Sequence, residues 1–240
     1  MLKPEFRKEK VSVIEEEGAH SGEDNDSSEG LTPNISKDRP NLSVAPKVVP
    51  EMNKVAIKKL CKMKIKGIEN GLEFLLNEIK VHWALEQCVS VVRLLQLFED
   101  DESVYMVLEY QPNGTLLKTL KSSQAFKEPD VRVILEQMLL ALDFLQRKKV
   151  VHRDIKPENI LINAIEDNSE YEIRIADFGF AVFTQNDQPL THKCGTPGYV
   201  APEMFKSEKG YSYKADVFSL GAVFFNLLTG RYMFSGDNMD

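Results

Sequence analysis

The run His152-Arg153-Asp154-Ile155-Lys156-Pro157-Glu158-Asn159 sets a carboxylate, an ammonium and an amide carbonyl within a few residues of one another. Asp177-Phe178-Gly179 adds a second carboxylate beside a glycine that permits a sharp backbone turn. Groups of these kinds can take up a proton, hold a hard cation through oxygen and offset the charge of an anion. Taken singly, each piece says little. An Asp-Phe-Gly triplet usually marks a turn, and a charged octapeptide can be a surface loop after a helix. A solvated strand explains Lys58, and a solvated helix face explains Glu78. Order carries the weight. Val55-Ala56-Ile57-Lys58 comes first, then Glu78, the octapeptide and Asp177, and Ala201-Pro202-Glu203 with Asp216 close the series.

These groups need elements to carry them. Lys54 to Leu60 alternates as a strand, with Val55 and Ile57 on one face and Ala56 and Lys58 on the other. Leu72 to Leu85 has helical spacing through Leu75, Ile79 and Trp83, which puts Glu78 on a helix. Val91 to Phe98 and Val104 to Tyr110 read as two strands joined by the acidic turn Glu99-Asp100-Asp101. Pro112-Asn113-Gly114 breaks the chain. Val131 to Gln146 is a long amphipathic helix with Val131, Ile134, Met138, Leu142 and Leu145 on one stripe. Short strands are predicted over Ile160 to Ile162 and Tyr171 to Ile175. Val217 to Leu228 is strongly apolar and predicts a buried helix ended by Gly230. Strands dominate early and helices late, which fits a two-lobed α+β architecture.

Composition narrows the setting. A net charge of −7 argues against binding nucleic acid through the whole surface. The 3 cysteines, Cys61, Cys88 and Cys194, are sparse and widely spaced, as free thiols are in a reducing compartment. Met1 to Lys10 lacks the apolar stretch of a signal peptide, and no apolar run is long enough to span a membrane. A soluble, cytoplasmic protein is the expectation. Residues 1–45 are acidic and serine-rich, with Glu15-Glu16-Glu17 and the stretch Ser21 to Glu29. Such a segment buries too little to offset its ordering entropy, so it reads as a disordered leader. The other reading is a docking tail for a regulatory partner.

The ordered motifs resemble those of eukaryotic protein kinases of the serine/threonine type, from about Val55 onward. The wording of Ile155 to Asn159 and of Cys194 to Glu203 is most similar to calmodulin-dependent and related kinases. The resemblance implies a two-lobed fold using ATP and Mg2+, with residues 46–110 as small lobe and 111–240 as mainly helical large lobe. It implies that Lys58 donates to the α- and β-phosphates and is fixed by an ion pair with Glu78. Asp177 would hold one Mg2+ and Asn159 a second, and Asp154 would accept the proton of the incoming hydroxyl. Lys156 would reach the transferring phosphoryl group and accompanies serine/threonine acceptors in the family; Thr196 resembles the threonine that bridges it to Asp154. Glu109, Tyr110 and Gln111 match the hinge that binds adenine through backbone groups, after a gatekeeper at Leu108. Ala56 and Leu161 match the residues that sandwich the base. His152 and Phe178 match members of an apolar stack anchored by Asp216. His82 falls where relatives place Leu or Met, and reads as a neutral packed histidine. Thr191 and Thr184 are candidate acceptors of an activating phosphate near Arg153.

The chain also departs from the pattern. No Gly-x-Gly-x-x-Gly precedes Lys58, and Pro33 to Pro50 contains no glycine where a phosphate-covering turn belongs. Asn41 to Val49 is a candidate strand, weakened by Pro46 and Pro50. The helices that follow in the family have no counterpart after Asp240, so the expectation is a fold truncated in both lobes. Thr115 and Asn226 stand where basophilic relatives use glutamate, which leaves Glu158 as a contact for a basic substrate. The alternative function is a catalytically impaired pseudokinase or interaction module.

Overall fold

In a computed structural model of the chain, the alternating run Lys54–Cys61 forms strand β2 at the heart of a sheet. The residues described are 11–15, 54–123, 125–165, 171–184, 188–206 and 208–234. With β1 at Val11–Glu15, β3 at Leu94–Glu99 and β4 at Ser103–Glu109, the sheet has the order β1-β2-β4-β3. Asp100 closes the β3–β4 turn by accepting from the amides of Glu102 and Ser103 at 2.8 and 2.7 Å. The predicted strand from Val91 starts later, at Leu94, for a local reason. Val92 donates its amide to Ile175 and Ser90 accepts from that residue's amide, so this stretch is tied to another sheet first.

Strand β1, Val11–Glu15, pairs antiparallel with β2 in the register Val11↔Lys58 to Glu15↔Lys54. It lies inside the segment that composition assigns to the leader. Averaging over residues 1–45 hides a five-residue run in which Val11, Val13 and Ile14 are β-branched. The rest of that leader and the candidate strand Asn41 to Val49 lie outside the described residues.

Helix α1 is Lys62–Lys66 and α2 is Gly71–Ala84. Gly71 sits where a Cβ would come within 2.1 Å of the Ile65 carbonyl oxygen, so glycine lets α2 start hard against α1. Leu75 and Ile79 of α2 pack on Leu60, Ile65 and Met106, a small core beneath the sheet.

The larger core surrounds α4, Glu128–Arg147, which follows α3 at Leu116–Ser123. Pro129 lies in the first turn of α4 and Glu128 and Asp130 complement its positive end. Val131, Ile134, Met138, Leu142 and Leu145 are buried as the stripe predicts, and Ala141 joins them. They pack against two hairpin-like pairs, β5 (Val150–Val151) with β8 (Val182–Phe183) and β6 (Ile160–Ile165) with β7 (Tyr171–Ile175). Helix α5 is Glu203–Lys206, and α6 spans Lys214–Thr229 before Gly230, whose φ of 69° caps it in the left-handed region. The buried face of α6 carries Leu220, Val223 and Leu227, whereas Val217 at its outer side is 48% exposed. Among the described residues no helix is long and apolar enough to cross a membrane. The three cysteines are free thiols.

Burial decides how mutations act on this frame. Met138→Ala, at a fully buried site, should lower unfolding free energy by about 2–5 kcal/mol in urea titrations. Leu140→Ala, on the exposed side of the same helix, should stay within about 0.5 kcal/mol of the parent.

Candidate active site

Lys58 leaves β2 and Glu78 leaves α2 toward each other. The Lys58 ammonium donates to both carboxylate oxygens of Glu78, at 2.8 and 3.1 Å. Glu78 is only 3% exposed, so the pair is largely shielded from water. Asp177 Oδ1 stands 3.6 Å from the same ammonium, and its side chain is half exposed. Crowding by protein pushes the Asp177 carboxyl up; the charges of Lys58, His152 and Lys156 and the Gly179 amide outweigh it and hold the group below the usual carboxylate range.

The second group of charges sits on the loop after β5. Asp154 Oδ2 accepts from Lys156 Nζ at 2.7 Å and from Asn159 Nδ2 at 3.2 Å. Asp154 Oδ1 accepts from Thr196 Oγ1 at 2.5 Å, and Lys156 Nζ donates to that same hydroxyl at 3.0 Å. Asn159 Nδ2 also donates to the Asp154 carbonyl at 2.9 Å. Three side chains from two segments therefore fix one carboxylate. Its backbone needs help too, because Arg153 has φ 70° and Asp177 φ 59°, unfavourable for residues with a Cβ. Asp216, buried on α6, accepts from the amides of His152 and Arg153 at 2.7 and 2.8 Å and holds the first of these turns.

A stack joins the two groups. The Phe178 ring lies edge-on between His152 and His82, with centroids 4.9 and 5.1 Å away. His152 donates from Nε2 to Ala176 at 3.2 Å and accepts at Nδ1 from the Asp154 amide, which sets its tautomer. His82 donates from Nδ1 to the Val92 carbonyl at 3.2 Å. Burial, helped by the charge of Lys58, lowers the His82 pKa to about 4.

The residues expected to contact a base lie on the strands next to those that carry the charged groups, or on the same ones. Ala56 pairs across the sheet with Leu108, two positions before Lys58 and on the same side of β2. Leu161 lies on β6 two residues after Asn159 and bridges to Thr115. The Glu109 carboxylate does not reach the centre; it is held by Arg93 Nε at 3.2 Å. Gln111 is buried, with no hydrogen-bond partner among the described residues for either side-chain amide atom. Sequence reading missed Asn77, which donates to the Ala181 carbonyl at 2.6 Å and ties α2 to the segment after Asp177. It also missed Tyr211, whose ring is buried among Cys194, Met204 and Ala215. The pairing of Asn77 with Glu78 as neighbours on one helix was the available signal for the first; the second had none.

The chain matches the protein kinase domain model over residues 43–240. It belongs to the protein kinase family. It is 35% identical over 187 residues to the cell cycle serine/threonine-protein kinase CDC5/MSD2 of Saccharomyces cerevisiae, covering 77% of this chain and 26% of that protein. It is 38% identical to calcium/calmodulin-dependent protein kinase type 1 of Macrobrachium nipponense, covering 77% of this chain and 51% of that protein. Serine/threonine-protein kinase DCLK3 of Homo sapiens is 36% identical, with 77% and 27% covered. The chain thus spans between about a quarter and a half of these relatives. The kinase domain assignment agrees with the α+β arrangement of small sheets and helices described above.

The buried imidazole of His82 links this kinase domain's stability to acid. The unfolded chain protonates it near 6.5 and the folded chain only near 4, so the unfolded state binds more protons between those values. Stability should be full above about pH 6.5 and fall as pH drops toward 4, by roughly 3 kcal/mol from this residue. Urea unfolding of His82→Leu over that window should show a flatter pH dependence than the parent.

Proposed function

We propose that this chain transfers the γ-phosphoryl group of ATP to serine or threonine hydroxyls of proteins, with Mg2+. The observation that carries this reading is the fixed Asp154 carboxylate, held by Lys156, Asn159 and Thr196 in one network. Phosphoryl transfer needs positioning and charge neutralisation more than covalent help. Asp154 accepts the proton of the acceptor hydroxyl and aims its oxygen. Lys156 offsets charge on the moving group, and Lys58, steadied by Glu78, donates to the α- and β-phosphates. Backbone groups of Glu109 and Gln111 hold adenine between Ala56 and Leu161.

The residues fit Mg2+. Asp177 offers a half-exposed carboxylate kept ionised by nearby cations. Asn159 uses its amide nitrogen on Asp154, which leaves its carbonyl oxygen as the hard donor. Among the described residues no three acidic, histidine or cysteine side chains cluster, and magnesium takes one or two protein oxygens beside phosphates. Bound there, the ion would neutralise phosphate charge. At the peptide side, Asn226 is committed to Tyr199 and the Arg231 carbonyl, at 2.9 and 3.0 Å. Glu158 is the carboxylate that remains on this side for a cationic substrate side chain.

Radiolabelled transfer to a protein substrate tests the reading. Asp154→Asn should lower the rate by about 100- to 10,000-fold while retaining the rise in Tm that Mg-ATP produces. Asp177→Asn should lose the magnesium-dependent part of that rise. A wild-type chain stabilised by Mg-ATP that transfers nothing would refute the reading in favour of a nucleotide-binding interaction module.

A further inference from the structure

The guanidinium beside Asp154 donates to two neutral oxygens. Arg153 is 6% exposed. Its Nε donates to the Phe180 carbonyl at 2.6 Å and its Nη1 to the Tyr211 hydroxyl at 3.2 Å. Tyr211, itself 4% exposed, donates from its hydroxyl to the His192 carbonyl at 2.5 Å. Its backbone forms a two-bond bridge with Leu190, at 2.8 and 2.9 Å. Gly210 makes that approach feasible, since its φ is +77° and a Cβ there would come within 2.5 Å of the Leu190 oxygen. On the far side, the His192 ring lies 6.4 Å from that of Phe74, one turn before Glu78 on α2. Tyr211 thus joins the loop before α6, the 190–192 segment and the arginine adjoining Asp154.

We propose that Tyr211 is a positioning residue that clamps residues 188–196 in the substrate-accepting arrangement through neutral contacts, so that transfer needs no phosphate on Thr191 or Thr184. This rests on the reading of the chain as a working kinase. Through Nε and Nη1 the guanidinium is held by two uncharged oxygens, so the arginine is tied to the 190–192 segment by way of Tyr211 without an anion between them. The group that α2 sets against His192 is an aromatic ring rather than a cation, so the outer contact also asks for no anion. Burial pushes the Tyr211 hydroxyl up to about 12, so it stays a donor across the physiological range. Thr196, fixed by this segment, bonds Asp154 directly, which connects the clamp to the reacting centre.

The test compares the parent chain, Tyr211→Phe, Gly210→Ala and Thr191→Ala, each stripped of phosphate with a phosphatase and checked by mass. Dephosphorylated parent and Thr191→Ala should transfer at the untreated rate. Tyr211→Phe should lower kcat by about 10- to 100-fold while KM for ATP stays within about twofold. Loss of transfer on dephosphorylation, with recovery on rephosphorylation, would overturn the proposal. Hydrogen exchange over residues 188–196 is read without turnover, in an Asp154→Asn background. Faster exchange in Tyr211→Phe and Gly210→Ala, with an unchanged nucleotide-induced Tm rise, supports the clamp; exchange equal to the parent's sinks it. If the parent transfers nothing, the kinase reading fails and exchange alone still decides the clamp.

Discussion

The carboxylate of Asp216 is the constraint on which the rest depends. It is buried on α6, and burial raises its pKa while the charge of His152 and the amides of His152 and Arg153 oppose that shift. Those two amides belong to a turn that Arg153 enters with a left-handed φ of 70°. A Cβ-bearing residue does not hold that conformation unaided. Without the carboxylate, two buried N–H groups would lack acceptors, at about 1–3 kcal/mol each. The direction of Asp154 follows from that turn. So does the direction of Lys156 and Asn159, which meet on the same carboxylate.

From there the constraint spreads through α2. Four side chains along it reach four different partners: Phe74 meets His192, Asn77 meets Ala181, Glu78 meets Lys58 and His82 meets Phe178. Positions 74, 78 and 82 repeat every four residues, so they share one face of the helix. A rigid outward shift of α2 would loosen all four contacts together. The ion pair alone would be a weak latch, since a partly buried pair gains little over its desolvation. A packed imidazole and a backbone-directed amide add contacts that need no charge and are insensitive to salt.

Much of this was legible from residue order. The strand at Lys54, the helix around Glu78, the α4 stripe and the cap at Gly230 all follow from period and punctuation, and the structure agrees within a few residues. The charged residues of the centre were legible because each sits in a motif whose residue types follow from the chemistry. Three things were not. Strand β1 is set by pairing with β2, a long-range contact that composition cannot reveal. The late start of β3 comes from a tie to Ile175 in a different sheet. The direction of the Glu109 carboxylate, on which residue order is silent, is set by Arg93.

Tyr211 shows where such reading ends. Nothing in Gly210-Tyr211 marks it as more than a turn followed by an aromatic, yet its hydroxyl and its backbone act in three directions at once. The difference in chemistry between the two ends of the site has a physical sense. Charges are concentrated at Lys58, Glu78, Asp177, Asp154 and Lys156. Residues 190–192 are instead held by a phenol, a backbone bridge and a ring contact. Neutral bonds of this kind add no charge to the field around the Asp154 carboxylate, which is left to Lys156, Asn159 and Thr196.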